Sequence, residues 1–422
     1  MSKTRRRTLR ERLLAEMEGL RTVDCHSHTM LGREYREAAP FDLFRLMSYF
    51  NRDIEGVTGK PAGEALAGAS DDERWAKLKA VLAKARNVSY WRHNIVTYRA
   101  LFGLRGEELT DRNWRGLNRR IQAKTARPDW YRHVTEDVCR LRTQVRNVPW
   151  FQDWEPRYFT AILRMEEALG LHDAGPRERL EAHLGTSITD LRSLKAALAS
   201  LTEGYVARGA RGIKLAHAYW RTLHSEPVSE AVAGRILAKA LRGKPLKPDE
   251  VKRLQDHVIF FLAGLAADLG IVFQTHTGVQ SNWGHIPDSN PMGLLELVRA
   301  HRSVRFDLFH AGYPYSRELG MMGKHYPNVW LNMCWMYVIT MEGSRRALAE
   351  WLDLVPGHRL LGFGSDVPFP ELIYGHLVMA RSCLADVLAE KVARDFLSEA
   401  CALDLARMLL YDNAVALYRL AG

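Results

Sequence analysis

Two rhythms of apolar and polar positions alternate through most of the chain. Short runs rich in β-branched and aromatic residues, each bounded by Gly or polar residues, read as strands at 22–29, 158–165, 213–216, 271–276, 304–310, 329–334 and 360–366. A further strand falls within 138–149, where interspersed arginines blur the pattern. Between these runs the apolar residues return every three to four positions, as in 187–208 with Leu191, Leu194, Leu198, Leu201 and Tyr205. The same period marks 248–269, 290–298, 316–325, 343–354 and the tail 387–420. Strands that alternate with helices predict a parallel sheet in the α/β class, and eight such units predict a (β/α)8 TIM barrel.

Two stretches stand outside this rhythm. Residues 8–20 carry Leu9, Leu13, Leu14, Met17 and Leu20 with charges between them, which predicts an N-terminal surface helix and not the continuous apolar core of a secretory leader. Residues from about 31 to 135 are rich in Trp, Tyr and Arg, with helical periods at 71–85 and 90–102. An excursion of that length is too long for a plain loop, so a helical insertion after the first strand is predicted, roofing the barrel mouth. The expectation is one barrel domain over 1–422.

Composition narrows the partners. The chain holds 60 Lys and Arg against 49 Asp and Glu, a formal charge of +11, but these residues are scattered and form no stripe with interleaved aromatics. That argues against nucleic acid; a basic pocket for a small anionic substrate fits better, and a merely soluble basic surface better still. The five cysteines form no CxxC pair, and no apolar run reaches the 18 or so residues of a membrane span, so a reducing, cytoplasmic setting is expected with no membrane partner. A homo-oligomer is compatible with this composition.

The candidate chemistry lies at the strand ends. In a strand, His26 and His28 share one face, with Cys25 and Ser27 on the other. Three later strands also end in metal-ligand residues: His276, His310 and Asp366. Imidazole and carboxylate are the common zinc ligands, and a catalytic site keeps one position open. His26, His28, His276 and Asp366 supply four donors, and His310 reads either as a further ligand or as a general acid and base. Arg164 and Arg221, at or just past strand ends, suit a substrate carboxylate, with the salt bridge to a loop acid as the competing reading. Tyr219, Tyr313 and Trp283 are expected as aromatic walls, while His217 and His285 read as loop histidines.

With these residues the chain resembles the metal-dependent amidohydrolase superfamily of TIM barrels. The matching segments are His26-x-His28, Lys214 on the fourth strand, 274–278 (QTHTG), Asn290-Pro291, 309–315 (FHAGYPY), 326–329 (YPNV), 364–366 (GSD) and 412–414 (DNA). The likeness is to the amidohydrolase 2 group, which includes FluG-type and nodulin-type N-terminal domains, and more distantly to uronate isomerase. It spans the chain apart from about 31–135. The resemblance implies a divalent metal, zinc by preference, with one ion expected and a second if Lys214 is carboxylated; otherwise Lys214 meets substrate or a neighbour. It also implies a hydrolase in which metal-activated water cleaves an amide, lactone or ester of a small carboxylate-bearing substrate, with Asp366 and His310 as catalytic groups. A uronate-isomerase-like isomerase or a non-oxidative decarboxylase is the alternative on the same scaffold, and a non-enzymatic metal- or ligand-binding domain is a third reading.

Overall fold

Strands β1 (Thr22–Ser27), β2 (Leu141–Val148), β3 (Phe159–Arg164), β4 (Gly212–Leu215), β5 (Val272–Thr275), β6 (Arg305–Leu308), β7 (Val329–Asn332) and β8 (Leu360–Leu361) follow one another in a single eight-stranded sheet. The ladders from β3 to β8 are parallel. The fold is the expected (β/α)8 barrel class. The computed structural model describes residues 7–281 and 284–420; Trp283 lies outside them. Strands β1, β5, β6 and β8 are shorter than the apolar runs that predict them, because each of these runs continues into the loop that carries His28, His276, His310 or Asp366.

The chain divides into two compact units, one made of residues up to 144, 334–349 and 362–411, the other of 145–333, 350–361 and the residues from 412 on. In the first unit, the N-terminal helix Leu9–Gly19 opens on a capping box in which Thr8 and Glu11 satisfy each other's backbone N–H groups. It buries Leu13 and Met17 and docks on the helix Pro370–Ala393, where Arg10 reaches Asp386 and Ser382. That long helix is apolar enough, by length and composition, to cross a membrane, but 72% of its apolar window is buried inside the protein, as in a core helix. At Gly375 it passes so close to the helix Ser89–Phe102 that a Cβ would sit 2.1 Å from Thr97 Oγ1.

The excursion after β1 is helical, as expected, and includes Asp71–Ala85, Ser89–Phe102 and Trp114–Thr125. Its apolar faces close on each other through a stacked pair, Trp75 on Trp114, with ring centroids 5.4 Å apart. Such a pair adds about 0.5–1.5 kcal/mol beyond the area it buries.

In the second unit a polar layer crosses the strands. The register sets Lys214, Gln274 and Asp307 side by side on β4, β5 and β6. Gln274 accepts from Asn147 Nδ2 (3.2 Å) and donates to Asp307 Oδ2 (3.2 Å). Asp307 also receives Asn332 Nδ2 (2.9 Å) and the hydroxyl of Tyr418. Burial pushes the Asp307 carboxyl up to about 6, against the pull of these donors and of Lys214. Buried polar groups persist only when so paired.

Candidate metal centre and its surroundings

The period of two along β1 puts Asp24, His26 and His28 on one face, and the backbone delivers a carboxylate to them. Asp366 Oδ1 lies 3.3 Å from His26 Nε2 and 3.2 Å from His28 Nε2. One ligand atom from each of the three residues lies within 4.8 Å of the others. Asp366 has φ of +54°, a conformation costly for a side chain that carries a Cβ. Burial opposes its charge, but the positive fields and hydrogen bonds of His26 and His28 outweigh this and hold the carboxyl well below its usual range. Two imidazoles and an ionised carboxylate are a donor set that fits a divalent ion such as zinc.

The helical insertion reaches this group. The Tyr49 hydroxyl donates to the Asp366 carbonyl (2.6 Å) and lies 3.5 Å from Oδ1. Its ring packs on Trp335, centroids 4.7 Å apart.

The second unit carries a histidine pair. His276 Nε2 is 2.8 Å from the Val279 carbonyl, and a carbonyl can only accept, so Nε2 bears the proton. Nδ1 of the neutral ring is then an acceptor, and it receives His310 Nε2–H at 3.0 Å. Tyr219 packs its ring 4.7 Å from that of His276 and pairs with Ser281 Oγ (3.3 Å). Lys214, buried, places its Nζ 3.4 Å from the centre of the Phe309 ring. That contact suits an ammonium, since the face of the ring is negative, and would repel a carbamate.

Both arginines expected to receive a substrate carboxylate are engaged with acidic side chains. Arg164 is exposed and pairs with Glu166 at 3.2 Å. Arg221 is turned inward, its Nη2 2.6 Å from Asp256 Oδ1, with side chains only 9% and 1% exposed. Arg221 also donates to Gln255 Oε1, to the carbonyls of Thr222 and His224 and to Ser225 Oγ. The acidic partner of Arg221 is thus on the helix Pro248–Asp268, and not on a loop. Tyr313 is half-buried, two residues beyond the left-handed pair His310 and Ala311.

Three residues escaped the sequence reading. Asp24 shares the period of the two histidines, and that period was the signal that could have found it. Tyr49 and His376 lie on helices with no local mark of a role. His217 reads from sequence as a loop histidine but is fully buried, with neither ring nitrogen hydrogen-bonded to the protein. Burial holds it neutral by pushing its pKa down to about 3.

A family model described as Amidohydrolase matches residues 190–420, more than half of the chain, and the chain belongs to that amidohydrolase family. Among curated proteins it is similar to the uronate isomerase of Nostoc punctiforme, 27% identical over 288 residues, covering 62% of this chain and 60% of that protein. It is also similar to protein fluG of Emericella nidulans, 32% identical over 148 residues, 35% of this chain and 17% of that protein. The chain thus spans 60% or less of the length of these two relatives. Among solved structures, the uronate isomerase of Thermotoga maritima superposes with a TM-score of 0.83 at 16% identity, covering 97% of each chain. The glucuronate isomerase of Caulobacter crescentus gives 0.82 at 20% identity, covering 100% of this chain and 96% of that one. These two structures extend the likeness of fold over the helical excursion, which the sequence resemblance left out.

Proposed function

We propose that the protein is a metal-dependent isomerase of a small sugar acid of the uronate type, a cyclic aldose that bears a carboxylate. The observation that carries the metal requirement is the group His26, His28 and Asp366, whose donor atoms already converge. The curated relatives that align over half or more of the chain, named uronate isomerases, support the reaction class over the hydrolysis expected from sequence.

His26, His28 and Asp366 would hold the ion; His276, the fourth ligand expected from sequence, has both ring nitrogens engaged, with the Val279 carbonyl and with His310. A bound divalent ion supplies Lewis-acid polarisation of a substrate oxygen. Isomerisation of an aldose to a ketose moves one proton between adjacent carbons and another between their oxygens. His310, whose Nε2–H faces His276 Nδ1, belongs to a relay that carries a proton to and from a substrate oxygen. The Tyr49 hydroxyl, fixed on the Asp366 backbone, is the second proton-bearing group. Arg164, exposed at the end of β3, and Tyr219 and Tyr313 are the groups of this chain that orient the anionic substrate. An ammonium at Lys214 is the form favoured against the face of Phe309, and this supports one ion over two.

The test is a panel of hexuronates, lactones, N-acyl amino acids and aromatic acids offered to zinc-loaded protein. Ketose formation from a hexuronate without cleavage of lactones or amides is the expected result. Hydrolysis without isomerisation would return the protein to the hydrolase reading, and loss of carbon dioxide from an aromatic acid would make it a decarboxylase.

A further inference from the structure

A single buried carboxylate ties together the two segments that carry the candidate ligands. Asp24 Oδ1 accepts the Ser365 backbone N–H at 2.7 Å and the His26 N–H at 3.4 Å, and Oδ2 accepts the Ser365 hydroxyl at 2.5 Å. From the opposite side, His376 Nδ1 donates to the Ser365 carbonyl at 2.9 Å. Asp24, Ser365 and His376 are all fully buried. The residue after Ser365 is Asp366, whose N–H donates to the His26 carbonyl at 2.9 Å and whose φ is +54°. Gly364 completes the approach, since a Cβ there would lie 2.8 Å from Cys334 Cβ and 3.2 Å from the His26 nitrogen.

This arrangement is more than packing requires. An isolated buried carboxylate is expensive, and an apolar residue would fill the same space without that cost. What Asp24 adds is direction. It grips the strand at His26 and the turn at Ser365 at once, so the distance between the His26 and His28 side chains and the Asp366 carboxylate is set by one rigid group. The left-handed Asp366 would otherwise relax toward the extended region and swing its carboxylate away.

We propose that Asp24, acting through Ser365 with His376 behind it, is a positioning residue that presents Asp366 to His26 and His28 and thereby sets the affinity of the metal centre. The inference rests on the metal reading given above. Groups behind metal ligands commonly govern affinity by about 10- to 100-fold, and here the group acts on the backbone of the ligand and not on its side chain.

The experiment compares zinc affinity, by competition with a chromophoric chelator, in the parent protein, Asp24→Ala and Asp24→Asn. Circular dichroism and the melting temperature of the metal-free proteins are recorded in parallel. Asp24→Ala should bind zinc at least about tenfold more weakly while folded. Asp24→Asn should restore most of the affinity, because its amide oxygen still accepts the Ser365 N–H and its amide nitrogen can donate to the Ser365 hydroxyl. Equal affinity in parent and Asp24→Ala, with only the melting temperature lowered, overturns the proposal. Should Asp24→Ala fail to fold, Ser365→Ala removes the Oδ2 contact alone: weakened zinc binding supports the clamp, and parental affinity overturns it. A parent protein that binds no zinc overturns the metal reading and the clamp with it, whereas a binding parent with an unaffected Asp24→Ala overturns the clamp alone.

Discussion

Substituting Arg221 by Met separates a stabilising role from a substrate-binding one. The guanidinium faces Asp256 at 2.6 Å with both side chains buried, so its removal strands a carboxylate in the interior. Breaking a buried pair by deleting one partner costs about 3–5 kcal/mol. Lys252 remains on Asp256 Oδ2 at 2.6 Å and compensates part of that charge, which brings the expectation down to the lower end of the range. The other bonds of Arg221, to Gln255 and to two loop carbonyls, are replaced by an apolar chain that leaves those acceptors short of a donor. A net loss of about 3 kcal/mol follows, equivalent to a urea midpoint lowered by about 1 M at a slope near 3 kcal/mol per M. The assay is equilibrium urea unfolding of parent, Arg221→Met, Asp256→Asn and the double variant, with zinc content measured on each. The double variant should recover part of the loss, because the stranded charge is gone. An unchanged midpoint in Arg221→Met, joined to a selective loss of activity on acidic substrates, would refute the reasoning and restore Arg221 as the receptor of a substrate carboxylate.

Three further outcomes are expected. His28→Ala and Asp366→Ala should lose the tightly bound ion by elemental analysis, whereas Lys214→Ala should keep the parental stoichiometry; a halving in the latter would establish a second, carbamate-bridged metal. Burial holds His93 at about 4 and His217 at about 3, below the ordinary 6.5. The unfolded chain therefore binds more protons than the folded one between those values and 6.5, so stability is full above pH 6.5 and falls on acidification. At pH 5 each contributes a loss of about 2 kcal/mol, and His217→Gln should flatten the fall in thermal stability between pH 6.5 and 5; an unchanged slope would count against a neutral, buried His217. Gly278→Ala should unfold or strongly destabilise the protein, because at φ of +70° its Cβ would sit 2.4 Å from the carbonyl carbon of Gly312 and from Tyr313 O; a variant that melts with the parent would contradict that packing.

Much of this fold was legible because its signals are local. The helix 316–325 and the start of 248–269 coincide with the observed elements, since apolar period and flanking residues agree there. The blurred second strand is real, at Leu141–Val148, with Arg142 and Arg146 at its two partly exposed positions. The sequence predicts a last strand of seven residues, but it pairs over only two, because the following residues bond to other partners, Gly362 N–H to Leu409 and Ser365 to Asp24. The convergence of His26, His28 and Asp366 was readable from strand-end residue types. Tyr49 was not, because it approaches Asp366 from a helix over three hundred residues away in sequence, and no local period encodes such a contact. The Arg221–Asp256 pair is illegible for a related reason: a guanidinium past a strand end has the same appearance in sequence whether it faces solvent or a buried acid, and Asp256 carries no mark of its burial.

The polar layer of the second unit bears on the order in which the chain can mature. Asp307 and Gln274 sit on central strands, yet both depend on the hydroxyl of Tyr418, which donates to Asp307, accepts from the Gln274 amide and is synthesised 111 residues after Asp307. The same closing segment brings Asn413, whose amide serves the Gly357 and Leu360 carbonyls, and offers the Leu417 carbonyl to Arg305. A nascent chain that has already emitted β3 to β8 therefore still holds a carboxylate and an amide in want of partners. The strands stay open to water until the C-terminal helix arrives, and ribosome-bound intermediates halted before residue 413 should be cut readily by protease at sites that the finished protein shields.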